Sequence, residues 1–157
     1  LAPRAAAMHV QPAVEFFERL LASQLPALAA HLARLAVPTD LYLVPWLLSL
    51  YTRALPPCTA ARIWDRVLAE GEREAFKAAL ALLTLLQPVL LLAGFEEAVQ
   101  LLQQLPFGGS HGPTGGHAVG GERLAEATLL EAMGRVAIPK LEYERLLMRC
   151  ITHQALA

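Results

Sequence analysis

Apolar residues recur along this chain at the spacing of an α-helix, and the alternation that marks a half-buried strand is almost absent. The clearest apolar stripe predicts a helix over residues 57–70 that ends at Gly71. Its apolar positions recur at i, i+3, i+4, i+7 and i+8 and are Ala60, Ile63, Trp64, Val67 and Leu68. Because Trp64 lies on this stripe, we expect it to be buried. The pattern as a whole predicts an all-α fold.

Prolines and glycines divide the rest of the apolar pattern into further helices. They are expected over residues 13–21, 26–37, 45–54, 72–86, 95–105, 122–134 and 140–154. The third is placed from Pro45 onward, after a turn at 39–43, because a proline inside a helix clashes with the carbonyl four residues earlier. The helix over 72–86 is apolar on almost every side, which predicts a central position with Phe76 buried.

Glycine is concentrated in one segment, residues 106–121, which holds seven of the ten glycines of the chain. Ordering so many glycines costs conformational entropy, so the composition predicts a flexible loop without regular structure over residues 107–121. We therefore divide the chain into a lead-in segment (1–12), a helical core (13–106), the loop, and a helical tail of the same domain (122–157).

Composition and charge remove several classes of protein. An apolar fraction of 55% against 17% charged residues excludes disorder of the whole chain. The net charge of -1 provides no basic excess to neutralise phosphates, which argues against nucleic-acid binding. The uncharged run from Ala78 to Ala93 has sixteen residues, fewer than the roughly 20 that a membrane-spanning helix needs. We therefore expect no transmembrane segment, and a chain with only two cysteines is typical of the reducing cytoplasm.

No catalytic, cofactor or metal site emerges from the residue types. The glycine-rich segment lacks the Gly-Lys-Ser/Thr of a phosphate-binding loop. His111 and His117 within it have no further ligand beside them, whereas a metal needs three or four. Cys58 follows two prolines with no partner histidine in view, and Cys150 and His31 lie on apolar helices, so each is expected to be structural.

The helix around Trp46 gathers aromatic side chains, with Tyr42 one turn before it and Tyr51 after it. Partly exposed Trp and Tyr side chains are typical of interface anchors. The apolar neighbours Leu47 and Leu48 fit a buried helix as well, so the pattern leaves Trp46 as either a core residue or an interface residue.

Several short motifs follow one another between Phe17 and Pro106. They are Leu-Pro-x-Leu-x-x-His-Leu (25–32), Tyr-x-x-x-Trp (42–46), Ala-Leu-Pro (54–56), Arg-Ile-Trp-Asp (62–65) and Glu-Gly (70–71). In this order and spacing they resemble the C-terminal half of the TBC domain of Rab GTPase-activating proteins. The resemblance implies a multi-helix right-packed bundle that forms the C-terminal lobe of that domain.

The resemblance also implies a regulator of GTP hydrolysis that acts on a Rab-family small GTPase and is not an enzyme in its own right. GTP and Mg²⁺ would be carried by the GTPase, and this chain would bind no cofactor. The residues that it suggests for contact with the Rab switch regions are Tyr42, Trp46, Tyr51 and Arg53. Those that match the family motif and are expected to determine the fold are Arg62, Trp64, Asp65 and Gly71.

Two catalytic motifs of the family are missing from this chain. The family places an arginine in Ile-x-x-Asp-x-x-Arg and a glutamine in Tyr-x-Gln, and none of the three tyrosines here is followed by x-Gln. The resemblance therefore implies that the catalytic lobe lies upstream and is a partner of this lobe. A non-catalytic helical adaptor that binds small GTPases is the alternative. Either protein would be cytoplasmic and would reach membranes through its GTPase.

Overall fold

A computed structural model describes residues 3–105 and 119–155, and within these ranges the regular structure is helical, without strands. Its helices are α1 (Pro3–Gln24), α2 (Pro26–Arg34), α3 (Asp40–Leu48), α4 (Pro57–Glu70), α5 (Arg73–Leu90), α6 (Phe95–Gln103), α7 (Val119–Arg135) and α8 (Lys140–Ala155). The all-α prediction is confirmed. The predicted bounds of α4 agree with the structure, since a proline begins it and Gly71 follows its last residue.

Helix α5 lies at the centre of the bundle and packs against α3, α4 and α7. Eleven of its residues are buried, among them Phe76 at 5% exposure, as the apolar pattern predicted. Burying a leucine or phenylalanine side chain contributes about 1.5–3 kcal/mol, so this helix supplies much of the apolar stabilisation of the fold. None of the helices in the described ranges is long and apolar enough to cross a membrane.

An aromatic cluster joins the two ends of the chain to this central helix. The ring centroids of Phe16 and Phe76 lie 5.0 Å apart, and that of Tyr143 lies 5.1 Å from Phe16 and 5.8 Å from Phe76. Such ring pairs contribute about 0.5–1.5 kcal/mol beyond their burial. The cluster fixes α1 and α8 against α5.

Three helices differ from the expected bounds because a proline does not end them. Helix α1 begins at Pro3, ten residues before the expected start at 13, and Pro12 lies inside it with a buried side chain. Helix α3 begins at Asp40 and continues through Pro45, where a turn and a later start were expected. An internal proline costs about 3 kcal/mol. Burial of the neighbouring apolar side chains offsets that cost, and Pro88 lies similarly within the last turn of α5.

The predicted loop is shorter than expected at its C-terminal end. Helix α7 begins at Val119, so residues 119–121 are helical, and the buried side chains of Leu129 and Met133 anchor the helix. The rest of the predicted loop, including His111 and His117, lies outside the described residues, as does the side chain of Cys150.

Candidate functional site

Cys58 and His31, two of the residues considered for chemistry, take a surface and a structural position. Within 3–105 and 119–155, no group of three His, Cys, Asp or Glu side chains is arranged to hold a metal ion. Cys58 is exposed, and its sulfur lies 3.9 Å from the Thr59 hydroxyl. His31 is buried: its Nε2 lies 3.1 Å from the Ala93 carbonyl oxygen, and its Nδ1 lies 2.7 Å from an Arg34 guanidinium nitrogen. Because the Arg34 nitrogen can only donate, Nδ1 accepts and Nε2–H donates.

The chain after α3 makes an unusual turn that positions the aromatic residues. Leu50 and Tyr51 both adopt positive φ, at 45° and 65°. The Tyr51 N–H donates to the Trp46 carbonyl over 2.9 Å, and the Leu50 N–H donates to the Leu47 carbonyl over 3.1 Å. This is a Schellman motif with leucine where glycine is usual. A left-handed backbone costs of order 1–3 kcal/mol for each non-glycine residue, so other contacts must hold the turn.

Trp64 supplies one of those contacts, and the prediction that it is buried is wrong. Its side chain is 39% exposed on α4, and its indole N–H donates to the Leu50 carbonyl over 2.7 Å. Leu68, one turn later on the same predicted stripe, is 85% exposed. Fewer apolar residues of α4 are therefore buried than the sequence pattern predicted. The main contact of Trp64 is the hydrogen bond that holds the turn.

Tyr51 supplies the other contact, and its position overturns its suggested role at a partner surface. The side chain is fully buried, and its hydroxyl donates to the Ala75 carbonyl of α5 over 2.5 Å. Burial raises the pKa of Tyr51 far above its usual range. A partner cannot reach this ring without unfolding the turn.

Tyr42 and Trp46 are also core residues by exposure, at 1% and 3%. Their rings lie 5.2 Å apart, and this pair continues to Phe17 of α1 at 6.5 Å and to Tyr51 at 6.2 Å. The core interpretation of Trp46 is therefore confirmed. Both residues also line a groove, and their contact with a partner stays a prediction.

That groove is bounded by α3 and α6 and has a volume of about 240 Å³. We call it the Arg53 groove, and its lining includes Leu41, Tyr42, Trp46, Ser49, Arg53 and Leu102. The structure thus brings together three of the four residues suggested for partner contact and excludes Tyr51. Arg53 is exposed and forms no ion pair within the described part of the chain. It is the only charged residue among those that line the groove in the described ranges.

The Tyr42 hydroxyl is a second distinctive feature of this groove. The oxygen is buried and makes no hydrogen bond within the described residues. Burial is the main cause that raises its pKa far above the usual range, and the charge of Glu18 adds to the rise. The nearby Thr39 side chain offsets part of it without meeting the geometry of a hydrogen bond. Sequence reasoning could not find this feature, because satisfaction of a hydroxyl depends on tertiary neighbours.

Residues of the family-like motif take structural positions on and after α4. Arg62 donates from Nε to Glu126 of α7 over 3.2 Å, which links the two helices across the surface. Asp65 is exposed and forms no ion pair in the part of the chain that the structure describes. Gly71 has φ 102° and ψ 177°, and its N–H donates to the Val67 carbonyl over 2.9 Å. This backbone conformation is essentially restricted to glycine.

A buried ion cluster near the start of α5 was not foreseen. Glu74 is fully buried, with Lys77 Nζ 2.8 Å from one carboxylate oxygen and an Arg66 guanidinium nitrogen 3.9 Å from the other. The i,i+3 spacing of Glu74 and Lys77 was the available signal, but it is common on exposed helix faces. Removing one partner of a buried pair leaves an uncompensated charge, so the cluster is a structural feature of the α4–α5 contact.

A second groove, of about 370 Å³, lies between α1, α3, α4 and α5. We call it the apolar groove, and its walls include Val10, Val14, Val44, Leu47, Leu50 and Phe76. Glu72 is the only charged residue among those that line it in the described ranges. Leu48, also in its lining, is 70% exposed. Apolar surface of this kind commonly marks an interaction site.

The sequence profile of the Rab-GTPase-TBC domain matches residues 5–91 of the chain, more than half of its length. The chain belongs to the Rab-GTPase-TBC domain family. The match begins before Phe17, where the resemblance was first visible, and includes the motif residues from Arg62 to Gly71. This membership supports Rab GTPase activation at the level of the family.

Individual relatives match between 76 and 122 residues of the chain. TBC1 domain family member 14 of Bos taurus is 39% identical over 90 residues, which cover 57% of this chain and 13% of that protein. Carabin of Mus musculus is 45% identical over 76 residues, 48% of this chain and 17% of that protein. Drainin of Dictyostelium discoideum is 28% identical over 122 residues, 78% of this chain and 25% of that protein. The chain thus spans no more than a quarter of the length of these relatives.

Proposed function

We propose that this chain is the C-terminal lobe of a Rab GTPase-activating protein. The observation that supports this most strongly is the TBC profile match over residues 5–91, together with a helical bundle in which the motif residue Trp64 of α4 bonds to the turn after α3. The complete protein would accelerate GTP hydrolysis by a Rab GTPase that carries its own GTP and Mg²⁺. It would be a cytoplasmic protein that reaches membranes by binding its GTPase there.

The catalytic groups of that protein would lie outside this chain. Phosphoryl transfer to water needs a cation at the developing charge and a residue that orients the water. The Ile-x-x-Asp-x-x-Arg and Tyr-x-Gln motifs that supply them in the family do not occur in these 157 residues. The role of this lobe would be to support an upstream catalytic lobe and to contribute contacts to the GTPase.

The apolar groove supports the first part of that role. Its walls are mostly aliphatic, and Leu48 in its lining is 70% exposed. Packing the upstream lobe against this face would remove that surface from water, which is favourable by about 25 cal/mol per Å². We therefore assign the apolar groove to the contact between the two lobes.

Single-turnover GTP hydrolysis tests the proposal. We expect the 157-residue chain to leave the hydrolysis rate of a panel of purified Rab GTPases unchanged. The full-length protein that carries it should raise the rate of at least one of them by about 10³–10⁵-fold. A gain of about 10³ from the short chain would instead place a catalytic residue within it.

The same measurement separates the alternative function. A full-length protein that binds a GTP-loaded Rab but leaves hydrolysis unchanged would be a non-catalytic adaptor. A full-length protein that neither binds nor activates any Rab of the panel would contradict both functions.

A further inference from the structure

We propose that a groove between the end of α5 and α6 binds a short amphipathic helix of a partner protein, which places apolar side chains in the groove and a lysine or arginine on Glu97. We call it the α5–α6 groove, and its volume is about 430 Å³. It lies far from the apolar groove, whose lining on α5 includes Phe76, whereas the lining here includes Val89. These two residues are separated by about 20 Å along α5 at 1.5 Å per residue. The inference does not depend on the proposed function.

Exposed apolar side chains are concentrated where α5 ends and α6 begins. Leu92 is 89% exposed, and Val89, Leu91 and Phe95 are exposed as well, all within seven residues of the chain. Single exposed apolar residues are common on protein surfaces, whereas clustered ones mark sites of interaction. Val89 and Leu92 of this cluster line the α5–α6 groove. The groove therefore offers apolar side chains that a partner could remove from water.

The turn that carries these side chains is fixed from beneath. Leu90 and Ala93 are buried, and the Ala93 N–H donates to the Leu90 carbonyl over 3.2 Å. From α2, the His31 Nε2–H donates to the Ala93 carbonyl over 3.1 Å. A surface that is already ordered loses little conformational entropy when a partner binds. The exposed side chains thus belong to a preorganised surface.

The walls of the groove favour a helix as the occupant. On the α6 side the lining residues recur at i, i+3, i+4 and i+7 from Glu97 to Gln104, which is one helix face about 10 Å long. The opposite wall is formed by Val89, Leu92 and Ala93. An amphipathic helix that lies along such a groove inserts side chains at i, i+3 or i+4, and i+7. An extended segment would instead pair with a sheet edge, and the described ranges contain no strand.

Charge determines what lies beside the apolar side chains of that helix. Glu97 is the only charged residue among those that line the groove in the described ranges, and the exposed Glu96 precedes it. Neither carboxylate forms an ion pair within the part of the chain that the structure describes. The sequence contains no lysine or arginine between Lys77 and Arg123. The residue that complements this wall is therefore a lysine or arginine of the partner.

The local polar contacts leave Glu97 available for that role. One of its oxygens accepts from the Gly94 N–H over 3.2 Å, and a carboxylate can accept further hydrogen bonds. Arg34 approaches the same turn from α2, but it is bonded to His31 and does not line the groove. The acidic wall also disfavours two other occupants. A two-fold contact would bring the acidic residues of two copies into one interface, and an anionic lipid surface would be repelled.

Fluorescence anisotropy with the full-length protein tests the inference. The probes are three labelled helical peptides that share leucines at i, i+3 and i+7 and carry lysine, glutamine or glutamate at one position a turn away. We expect the lysine peptide to bind with a Kd below about 100 µM, about threefold more tightly than the glutamine peptide and about tenfold more tightly than the glutamate peptide. Glu97→Gln keeps the capping hydrogen bond, since glutamine also serves at this position of a helix. This variant should lose most of the preference for lysine.

Two leucines of similar exposure provide a matched pair of variants. Leu92→Asn should weaken the binding of all three peptides by about tenfold, because it removes an apolar contact in the groove. Leu68 of α4 is 85% exposed and does not line this groove, so Leu68→Asn should change each Kd by less than twofold. Both side chains are exposed, and thermal unfolding should show the same transition temperature for the two variants and wild type.

Several results would overturn the inference. The groove is not the site if no peptide binds below about 1 mM, or if Leu92→Asn and Leu68→Asn have equal effects. Equal affinity for the three peptides would overturn the role given to Glu97. Sedimentation of the full-length protein alone and with phosphatidylserine vesicles tests the other occupants. Self-association or vesicle binding that Leu92→Asn abolishes would assign the groove to a second copy or to a membrane instead.

Discussion

The two flanks of α3 are built from similar residues but differ in how completely their polar groups are satisfied. We call one of them the closed flank. Its polar groups are paired by hydrogen bonds among Leu50, Tyr51, Trp64 and Ala75. Here the Trp64 N–H donates to the Leu50 carbonyl and the Tyr51 hydroxyl to the Ala75 carbonyl. On the other flank lies the Arg53 groove, where the buried Tyr42 hydroxyl and the exposed Arg53 guanidinium have no such partner in the described residues.

The difference shows that burial alone does not identify the role of an aromatic residue. Tyr42 and Tyr51 are equally buried. The Tyr51 hydroxyl bonds to α5 and helps to hold a strained turn, whereas the Tyr42 hydroxyl has no hydrogen-bond partner in the described residues. A buried polar group that is hydrogen-bonded stabilises a fold, whereas a buried group without a partner costs free energy. Stability should therefore depend more on the hydroxyl of Tyr51 than on the hydroxyl of Tyr42.

The largest effect that we expect is a loss of stability when the buried tyrosines, which both flanks contain, become ionised at alkaline pH. Burial, with Glu72 beside it, raises the pKa of Tyr143 to about 12, and burial raises those of Tyr42 and Tyr51 further. The unfolded chain ionises near pH 10, so stability is complete below that pH. Between pH 10 and 12 the free energy of unfolding should fall by about 1.4 kcal/mol per pH unit for each tyrosine.

Denaturant titrations at several alkaline pH values measure this slope, and tyrosinate absorbance follows the ionisation. Tyr42→Phe and Tyr51→Phe should each reduce the slope by a similar amount, because the two rings are alike in burial. Tyrosinate that forms near pH 10 in the folded protein would contradict the prediction.

Removing the indole of Trp64 tests the closed flank directly. Trp64→Ala should lower the free energy of unfolding by about 2–3 kcal/mol, less than the 3–5 kcal/mol of a fully buried aromatic residue, because the ring is 39% exposed. Part of the loss comes from the bond to the Leu50 carbonyl, so Trp64→Phe should lose about 1 kcal/mol. Chemical denaturation measures both. Equal stabilities of Trp64→Phe and wild type would mean that this bond does not hold the turn.

Gly71, after the last residue of α4, has a positive φ that a residue with a side chain would adopt only with strain. Gly71→Ala should lower the free energy of unfolding by about 1–3 kcal/mol through backbone strain alone, since a Cβ at this residue would meet no atom within 4 Å. Gly134→Ala is a matched control, because Gly134 lies inside α7 and its Cβ would also meet open space. That control should gain about 0.5–1 kcal/mol from helix propensity. Equal effects of both substitutions, measured by thermal unfolding, would exclude strain at Gly71.

The sequence was sufficient for the parts of the fold that local signals determine. Helix α4 has a proline at its start, an apolar stripe and a terminal glycine, and its bounds were predicted correctly. The central position of α5 followed from its nearly uniform apolar pattern. In both elements local propensity and tertiary packing agree, which makes them readable from the chain alone.

The surroundings of α3 were not predictable because packing overrides the local signals there. Pro45 predicted that the helix would begin at residue 45. Burial of Tyr42 and Trp46 instead keeps α3 helical from Asp40 through this proline. Leu50 takes a left-handed conformation that usually indicates glycine. The clustering of Arg53 with Tyr42 and Trp46 was suggested by family resemblance, but which of these side chains reach a groove depends on α6, whose position no local pattern gives.

The smallest expected effect distinguishes the two flanks most sharply, since it compares one substitution at two equally buried tyrosines. Tyr51→Phe removes a bond to the Ala75 carbonyl and should lower the free energy of unfolding by about 1 kcal/mol. Tyr42→Phe removes a hydroxyl that has no hydrogen-bond partner in the described residues, so the same measurement should show no loss, or a gain of a few tenths of a kcal/mol. Urea denaturation of both variants under identical conditions resolves this difference. An equal loss at both positions would show that the Tyr42 hydroxyl is already satisfied in the free protein, and the contrast between the flanks would then disappear.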